Sequence, residues 1–224
     1  YKHFKEYEEA VFAVSRLTEV LILSPRQRTA FEKYYPGCEF RLHQVPPGIS
    51  ADRRVDTIDK GMGTQLRTEL GLALNTKLLL QVGSGFRVKG VDRALRAMAA
   101  LPKPQLENCH YLLIGQDNPD RYLRLAKKLG IAEQFTVLPG RDDIPRFLAA
   151  ADLLLHPAYS ESAGYVLLEA TIAGLPVLTT STCGYAFHIE HAESGLVCND
   201  PFEQAQLNSY LARMLGDLDT ADWS

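Results

Sequence analysis

The sequence has little of several features that would assign it to a specialised class of protein. Its four cysteines form no Cys-x-x-Cys pair, which argues against a disulfide framework and favours reduced thiols in a cytoplasmic protein. The net charge is −3 and the basic residues are dispersed, so nothing indicates nucleic-acid binding. No apolar run has the length of a membrane span, and no signal-peptide pattern is present. The sequence is therefore that of an ordinary globular protein.

Apolar segments that look like strands alternate with helical patterns from Thr64 onwards. Residues 77–82 and 153–156 are examples of the buried strand type, and residues 91–101 show helical spacing. Buried apolar strands that alternate with helices predict an α/β fold with a doubly wound, Rossmann-like parallel sheet. The polar, breaker-rich segment 51–63 predicts a linker between residues 1–50 and a domain over 64–224.

The predicted strands end in loops that are rich in glycine and polar residues. In open α/β sheets the ligand lies over the carboxyl ends of the strands, so we expect the binding chemistry at that edge. These loops are Gly83-Ser-Gly-Phe-Arg-Val-Lys, Gly115-Gln-Asp, Pro139-Gly-Arg-Asp-Asp, Ala158-Tyr-Ser-Glu and Thr180-Ser-Thr-Cys-Gly.

The segment 156–177 combines a strand end, a polar turn and a helix that is predicted to begin at Gly164. The free N–H groups at the start of a helix favour an anion, and phosphate above all. Glu161 precedes this helix and Glu169 lies within it, so carboxylates flank the predicted phosphate site. Carboxylates beside a phosphate suggest that hydroxyl groups are bound there, which points to a sugar nucleotide.

Glu161-Ser-Ala-Gly-Tyr-Val-Leu-Leu-Glu169, followed by Gly174-Leu-Pro-Val, resembles the E-x7-E signature of the family 4 retaining glycosyltransferases, which have the GT-B fold. Residues 46–53, 81–93 and 183–186 are similar to the glucosyltransferases of the lipopolysaccharide core in Gram-negative bacteria. The resemblance covers essentially the whole chain. It implies that residues 1–50 end an acceptor-binding domain, much of which precedes Tyr1, and that 64–224 bind the nucleotide sugar.

The same resemblance assigns roles to individual residues of the donor site. It implies that Lys89 and Glu161 are the catalytic residues, and that Lys89 binds the diphosphate from the glycine-rich turn, with Gly85 and Arg87 beside it. It also implies that Glu161 approaches the donor sugar and that Glu169 binds the ribose hydroxyls.

Further donor contacts follow from the family pattern. Arg53 is implied to turn toward the donor, and Arg141 to lie near the nucleotide base. The helix start at Ala163, Gly164 and Tyr165 would stabilise the negative charge that grows on the departing UDP. His156 is interpreted as a hydrogen-bonded wall residue near the site rather than a catalytic base.

The function implied by the resemblance is transfer of glucose from UDP-glucose to an inner-core heptose of lipopolysaccharide, with retention of configuration. No metal or other cofactor is expected, because protein cations and amide groups would stabilise the leaving group. The implied location is the cytoplasmic face of the inner membrane, with peripheral contact through the preceding domain. Two alternatives stay open: a donor-binding fragment that is inactive alone, and a GT-B UDP-sugar epimerase.

Other functional classes find less support in the residues. A dinucleotide fingerprint starting at Gly83 and Gly85 requires a third glycine at position 88, which is Val88, so NAD binding is not predicted. His188 and His191 lack the further ligands that a zinc site needs. No serine lies in a nucleophile elbow, so a hydrolase triad is not predicted.

Overall fold

The alternation of strand and helix patterns is realised in a computed structural model that describes residues 2–13, 17–50, 60–73 and 75–218. The chain divides into two compact units, residues 1–48 and 49–224. Most of the predicted linker, residues 51–59, lies outside the described residues, and so does Arg53.

The first unit contains two helices and a parallel pair of short strands in its described part. Ser24 caps the second helix by accepting a hydrogen bond from the N–H group of Gln27, and Pro25 is its first residue. The guanidinium group of the buried Arg41 donates to the backbone carbonyl groups of residues 11–13 and 18. The elements are α1 (Lys2–Phe12), β1 (Val20–Ile22), α2 (Pro25–Tyr34) and β2 (Leu42–Gln44).

The second unit is built from parallel strands joined by helices. Its elements are α3 (Lys60–Glu69), β3 (Lys77–Val82), α4 (Val91–Ala99), α5 (Lys103–Glu107), β4 (Cys109–Ile114), α6 (Asp120–Lys128), β5 (Phe135–Leu138), α7 (Ile144–Ala150), β6 (Leu153–His156), α8 (Tyr165–Ile172), β7 (Val177–Thr180), α9 (Ala186–His191), β8 (Gly195–Cys198) and α10 (Gln204–Asp217).

These strands form one six-stranded parallel sheet in the order β5-β4-β3-β6-β7-β8. The chain winds outward from β3 in one direction and then returns to β6 and continues in the other. This is the strand order of a doubly wound fold, and its switch point lies between β3 and β6. The predicted α/β class and parallel sheet are confirmed.

Apolar residues cover both faces of the sheet, which is why the strands read as continuous apolar runs. On β3, Leu79 packs into a core formed mainly with α4, α6 and α10. Its neighbours Leu78 and Leu80 point into the opposite core, formed mainly with α3, α7, α8 and α9. Burial on both faces holds the loops at the strand ends on a rigid frame.

Helix α3 begins at Lys60 rather than at Thr64, where the sequence pattern placed its start. Gly61 and Gly63 were interpreted as breakers of the linker, and that interpretation is wrong because both lie inside the helix. A Cβ atom at Gly63 would overlap the carbonyl group of Ala149, so glycine allows α3 to approach α7 closely. Within the described ranges, no helix is long and apolar enough to cross a membrane.

Candidate functional site

The switch point brings together the loops that follow β3 and β6. Residues 79 and 80 of β3 lie opposite residues 153 and 154 of β6, so both strands end at the same edge of the sheet. The N–H group of Tyr159 donates to the carbonyl oxygen of Val88 at 2.7 Å, which joins the two loops. Gly90, at φ 71°, lies so close to the carbonyl group of Pro157 that a Cβ atom would overlap it. The two loops therefore form one packed unit.

Arg93 contacts the loop after β6 and stabilises this unit. Its side chain is buried and donates to the carbonyl oxygens of Pro157 at 3.3 Å and Ala158 at 3.0 Å. Its guanidinium group also lies 3.6 Å from the ring centroids of both Tyr159 and Phe202. A planar cation between two aromatic rings is held more rigidly than a surface arginine. Arg93 thus fixes the path of the loop that leads to Glu161.

Lys89 and Glu161 meet across the switch point. The Nζ atom of Lys89 contacts the Oε2 atom of Glu161, and the two side chains are only 20% and 16% exposed. Burial lowers the pKa of Lys89, and the nearby Cys183 makes a smaller contribution in the opposite direction. The structure therefore places the two predicted catalytic residues together as an ion pair.

His156 lies beneath this pair, at the end of β6. Its Nε2 atom is 3.8 Å from the Oε2 atom of Glu161, and the side chain is fully buried. Burial, with a smaller contribution from the charge of Lys89, lowers the pKa of His156 to about 3. The imidazole is therefore neutral near pH 7. This placement agrees with the interpretation of His156 as a wall residue, but the predicted hydrogen bond is not found, because neither ring nitrogen has a hydrogen-bond partner among the described residues.

The start of α8 forms another side of the site. Gly164 precedes the helix at φ 95°, a conformation that favours glycine, and Tyr165 is the half-exposed first residue of the helix. The N–H groups of Gly184 and Tyr185 donate to the carbonyl oxygens of Glu161 and Ala163, at 2.9 and 2.8 Å. The loop after β7 therefore fixes the turn that carries Glu161 and the positive end of the α8 dipole.

The glycine-rich loop after β3 is also fixed by its neighbours. Gly85 adopts φ 77°, and a Cβ atom there would meet nothing within 4 Å, so the loop borders open space. The carboxylate of Asp117 accepts a hydrogen bond from the N–H group of Phe86 at 2.7 Å and holds the turn in place. Arg87 is exposed in the same loop. Open space beside a fixed turn suits a phosphate group.

A cavity of about 380 Å³ opens at the ends of β3, β4 and β5. Gly83 and Ser84 form one wall, while Gly140, Arg141 and Asp142 form another. The guanidinium group of Arg141 is held by Asp143, with hydrogen bonds of 2.7 and 2.9 Å. The cavity therefore continues from the glycine-rich loop to Arg141.

The structure unites some of the predicted site residues more closely than others. Lys89 and Glu161 are in contact, and Gly164 and its neighbours belong to the same edge of the sheet. Glu169 is half-buried in the second turn of α8. In the described part of the chain, no group of three or more His, Cys, Asp and Glu residues could hold a metal ion.

No local pattern in the sequence indicates that Arg93 and Asp117 hold the two loops. The same is true of Cys183, which pairs with Glu161 in an isolated parallel bridge. Burial raises the pKa of the Cys183 thiol, so the group stays protonated near pH 7. The Cys183-Gly-Tyr-Ala segment supported the family resemblance, but no local pattern indicated that its first residue borders Glu161.

The doubly wound parallel sheet, with a cation, a carboxylate and a helix start at its switch point, has the Rossmann-like architecture in which ligands bind over the carboxyl ends of the strands. Residues 64–222 match the family described as glycosyl transferases group 1, and the chain belongs to this family of sugar-transferring enzymes.

Individual relatives show the same relationship. The chain is 43% identical to the lipopolysaccharide glucosyltransferase WaaG of Escherichia coli K12 over 215 residues, which cover 96% of this chain and 58% of that protein. It is 33% identical to the D-inositol 3-phosphate glycosyltransferase of Nocardia farcinica over 188 residues, or 80% of this chain and 41% of that protein. The chain thus spans about three fifths or less of the length of these relatives.

Solved structures confirm the predicted GT-B class. A crystal structure of WaaG, a glycosyltransferase involved in lipopolysaccharide biosynthesis, matches with a TM-score of 0.90 and 40% identity. The match covers all of this chain and 64% of that one. The structure of Anabaena Alr3699/HepE in complex with UDP and glucose matches with a TM-score of 0.78 over 98% of this chain and 59% of that one. Its identity of 22% shows the shared fold alone.

Proposed function

We propose that this chain is the donor-binding part of a retaining glycosyltransferase that transfers glucose from UDP-glucose to an inner-core heptose of lipopolysaccharide. The observation that carries the proposal is the Lys89–Glu161 pair at the switch point of the sheet. The 43% identity to a lipopolysaccharide glucosyltransferase supports the choice of donor and acceptor.

In this proposal, each part of the site binds one part of the donor. The cavity beside Arg141 takes the uracil base, and Glu169 binds the ribose hydroxyls. Lys89, the loop with Gly85 and Arg87, and the start of α8 take the diphosphate, where cations and amide groups stabilise the departing UDP. We propose that the reaction needs no divalent metal, because these groups supply the positive charge.

Glu161 is proposed to position the glucosyl group. We propose that it does so during front-face attack guided by the leaving phosphate, rather than by attacking the sugar in a double displacement through a glycosyl-enzyme intermediate. Arg53 is proposed as a further donor contact, although it lies outside the described residues.

Substitutions at the pair test these roles. Lys89→Ala is expected to weaken UDP-glucose binding and to slow turnover, since the ammonium contacts both ground state and transition state. Glu161→Ala is expected to lower turnover more than donor affinity. Lys103→Ala, an exposed lysine on α5, is the matched control and should change neither quantity. Near-control kinetics for both site variants would contradict the assignment.

A product assay separates the proposal from its alternatives. The chain is incubated with UDP-glucose, with and without a heptose acceptor, and the products are separated by chromatography. Glucosylated heptose supports the transferase, and an isomerised UDP-sugar without acceptor supports an epimerase. Donor binding without either product supports a donor-binding fragment that is inactive alone.

The wider context is also proposed. Residues 1–50 would form the end of the acceptor-binding domain, 51–63 the linker, and 64–224 the donor domain. The enzyme would act at the cytoplasmic face of the inner membrane, where the lipopolysaccharide core is assembled. Cell fractionation with detection of the native protein tests this location, and recovery outside the cytoplasm and inner membrane would contradict it.

A further inference from the structure

His156 is a buried polar side chain that the proposed reaction leaves without a role. Neither of its ring nitrogens has a hydrogen-bond partner among the described residues. Buried polar groups are nearly always hydrogen-bonded, so each exception calls for an explanation. An apolar ring could fill the same space, and its burial would not carry the free-energy cost of removing a polar group from water.

The backbone at His156 is fixed by two hydrogen bonds, and its side chain is fully buried. The carbonyl oxygen of His156 accepts hydrogen bonds from the hydroxyl group of Thr179 and from the N–H group of Ala158, both at 2.9 Å. The Nε2 atom lies 3.8 Å from the Oε2 atom of Glu161. This separation exceeds a hydrogen bond by about 1 Å. A small rotation of the Glu161 side chain would close it.

Lys89 is the charged partner of the Glu161 carboxylate, which His156 faces. The ammonium contacts Oε2 of Glu161, so this oxygen already has a charged partner. In the proposed function, the diphosphate of the donor attracts Lys89, which would leave Glu161 in a site that is largely shielded from water. A carboxylate in such a site needs another donor, and the neutral imidazole can supply one N–H group.

We propose that His156 is a positioning residue that donates an Nε2–H hydrogen bond to Glu161 when Lys89 turns to the donor diphosphate. The inference rests on the proposed function for the event that draws Lys89 away. Since Nδ1 has no partner among the described residues, nothing opposes the tautomer with its proton on Nε2. Glu161 thus keeps its orientation toward the sugar while its charged partner changes.

The loss of Lys89 as the partner of Glu161 can be reproduced by a substitution, without any ligand. Lys89→Met removes the ammonium while retaining most of the side-chain volume. In the histidine-15N-labelled chain, the Nε2–H proton of His156 is expected to shift downfield in Lys89→Met, because it now bonds to a carboxylate. His156→Gln assigns the signal by its loss. Lys103→Met, at the exposed lysine, should leave the signal unchanged.

The shift must depend on Glu161. In the double variant Lys89→Met/Glu161→Gln, the charged acceptor is gone and the downfield shift should disappear. An unchanged signal in Lys89→Met, or the same shift in the double variant, would overturn the proposal. Circular dichroism of each variant establishes that the fold is retained.

A binding experiment tests the consequence for the sugar. UDP and UDP-glucose are titrated into the wild-type chain, His156→Gln and His156→Leu by calorimetry. A hydrogen bond to a charged group corresponds to roughly tenfold in affinity. His156→Leu should therefore lose about tenfold of the preference for UDP-glucose over UDP, while UDP affinity stays the same. His156→Gln, which retains an N–H donor, should keep most of the preference.

The two experiments distinguish a failure of the His156 proposal from a failure of the proposed function. Equal UDP-glucose preference in the wild-type chain and in His156→Leu would overturn the role of His156. If the wild-type chain binds neither UDP nor UDP-glucose, the proposed function fails, while the NMR result on Lys89→Met still decides whether His156 can hold Glu161.

Discussion

The Lys89–Glu161 pair should contribute more to stability than an ion pair on the surface. Two charges about 4 Å apart attract each other by about 4 kcal/mol at an effective dielectric constant of 20. Desolvation cancels much of this energy, because the side chains are only 20% and 16% exposed. We expect a net coupling free energy of about 1–3 kcal/mol, within the range measured for interacting neighbours.

A double-mutant cycle measures this coupling. The free energy of unfolding is determined by urea denaturation for the wild-type chain, Lys89→Met, Glu161→Gln and the double variant. Each single variant leaves one buried charge unpaired, so each should be destabilised, and the double variant should recover part of the loss. Additive losses in the double variant would refute the reasoning.

The Lys103–Glu107 pair supplies a matched control. It lies within one helix, and its side chains are 86% and 62% exposed. The corresponding cycle, Lys103→Met with Glu107→Gln, should give no more than about 0.5 kcal/mol. If both pairs gave the same coupling, burial at the switch point would not strengthen the contact.

Three further predictions concern the frame of the site and are checked by urea denaturation. Gly90→Ala should lower the free energy of unfolding by about 2 kcal/mol or more, because it adds a backbone clash to the strain of a positive φ. Gly130→Ala, with a similar φ but open surroundings, should cost about 1 kcal/mol, and equal losses would contradict the role of the clash. Arg93→Lys should lower the free energy of unfolding by about 1–3 kcal/mol through lost stacking and hydrogen bonds. Arg96→Lys, at an exposed position on the same helix, should be nearly neutral. Equal effects of the two substitutions would contradict the role of Arg93 in holding the loop. Burial lowers the pKa of His156 to about 3, so between pH 6.5 and 3 the imidazole is protonated in the unfolded chain but not in the folded one. The free energy of unfolding should therefore fall as the pH falls. Between pH 6.5 and 5 the loss should be on the order of 2 kcal/mol greater in wild type than in His156→Gln, and parallel curves would contradict this.

The sheet and its functional edge could be predicted from the sequence because their signals are local. Segments such as 77–82 and 153–156 must be apolar throughout to be buried on both faces, and that requirement is visible in the residues. The strand order is not local, and the residue pattern did not reveal it. Once the chain folds in this order, the loops that carry Lys89 and Glu161 become neighbours, although 72 positions separate the two residues.

What the sequence could not predict depends on contacts between distant segments. Gly63 lies in a segment with the composition of a linker, yet it is part of helix α3. Because glycine has no side chain, the helix can pack closely against α7 at this position. Arg93 looks like any polar residue of an amphipathic helix, and its role follows from two aromatic rings in other loops. The close approach of His156 to Glu161 likewise requires the folded turn between β6 and α8.

We infer that the switch point binds a uridine nucleotide sugar, and calorimetry measures this binding without an acceptor. UDP, UDP-glucose and NADH are titrated into the chain, into Lys89→Ala and Glu169→Ala, and into the exposed controls Lys103→Ala and Glu107→Ala. We expect both uridine compounds to bind and NADH not to bind, with affinity lost in the two site variants and retained in the controls. Equal binding of NADH, or no uridine binding by a correctly folded chain, would contradict it.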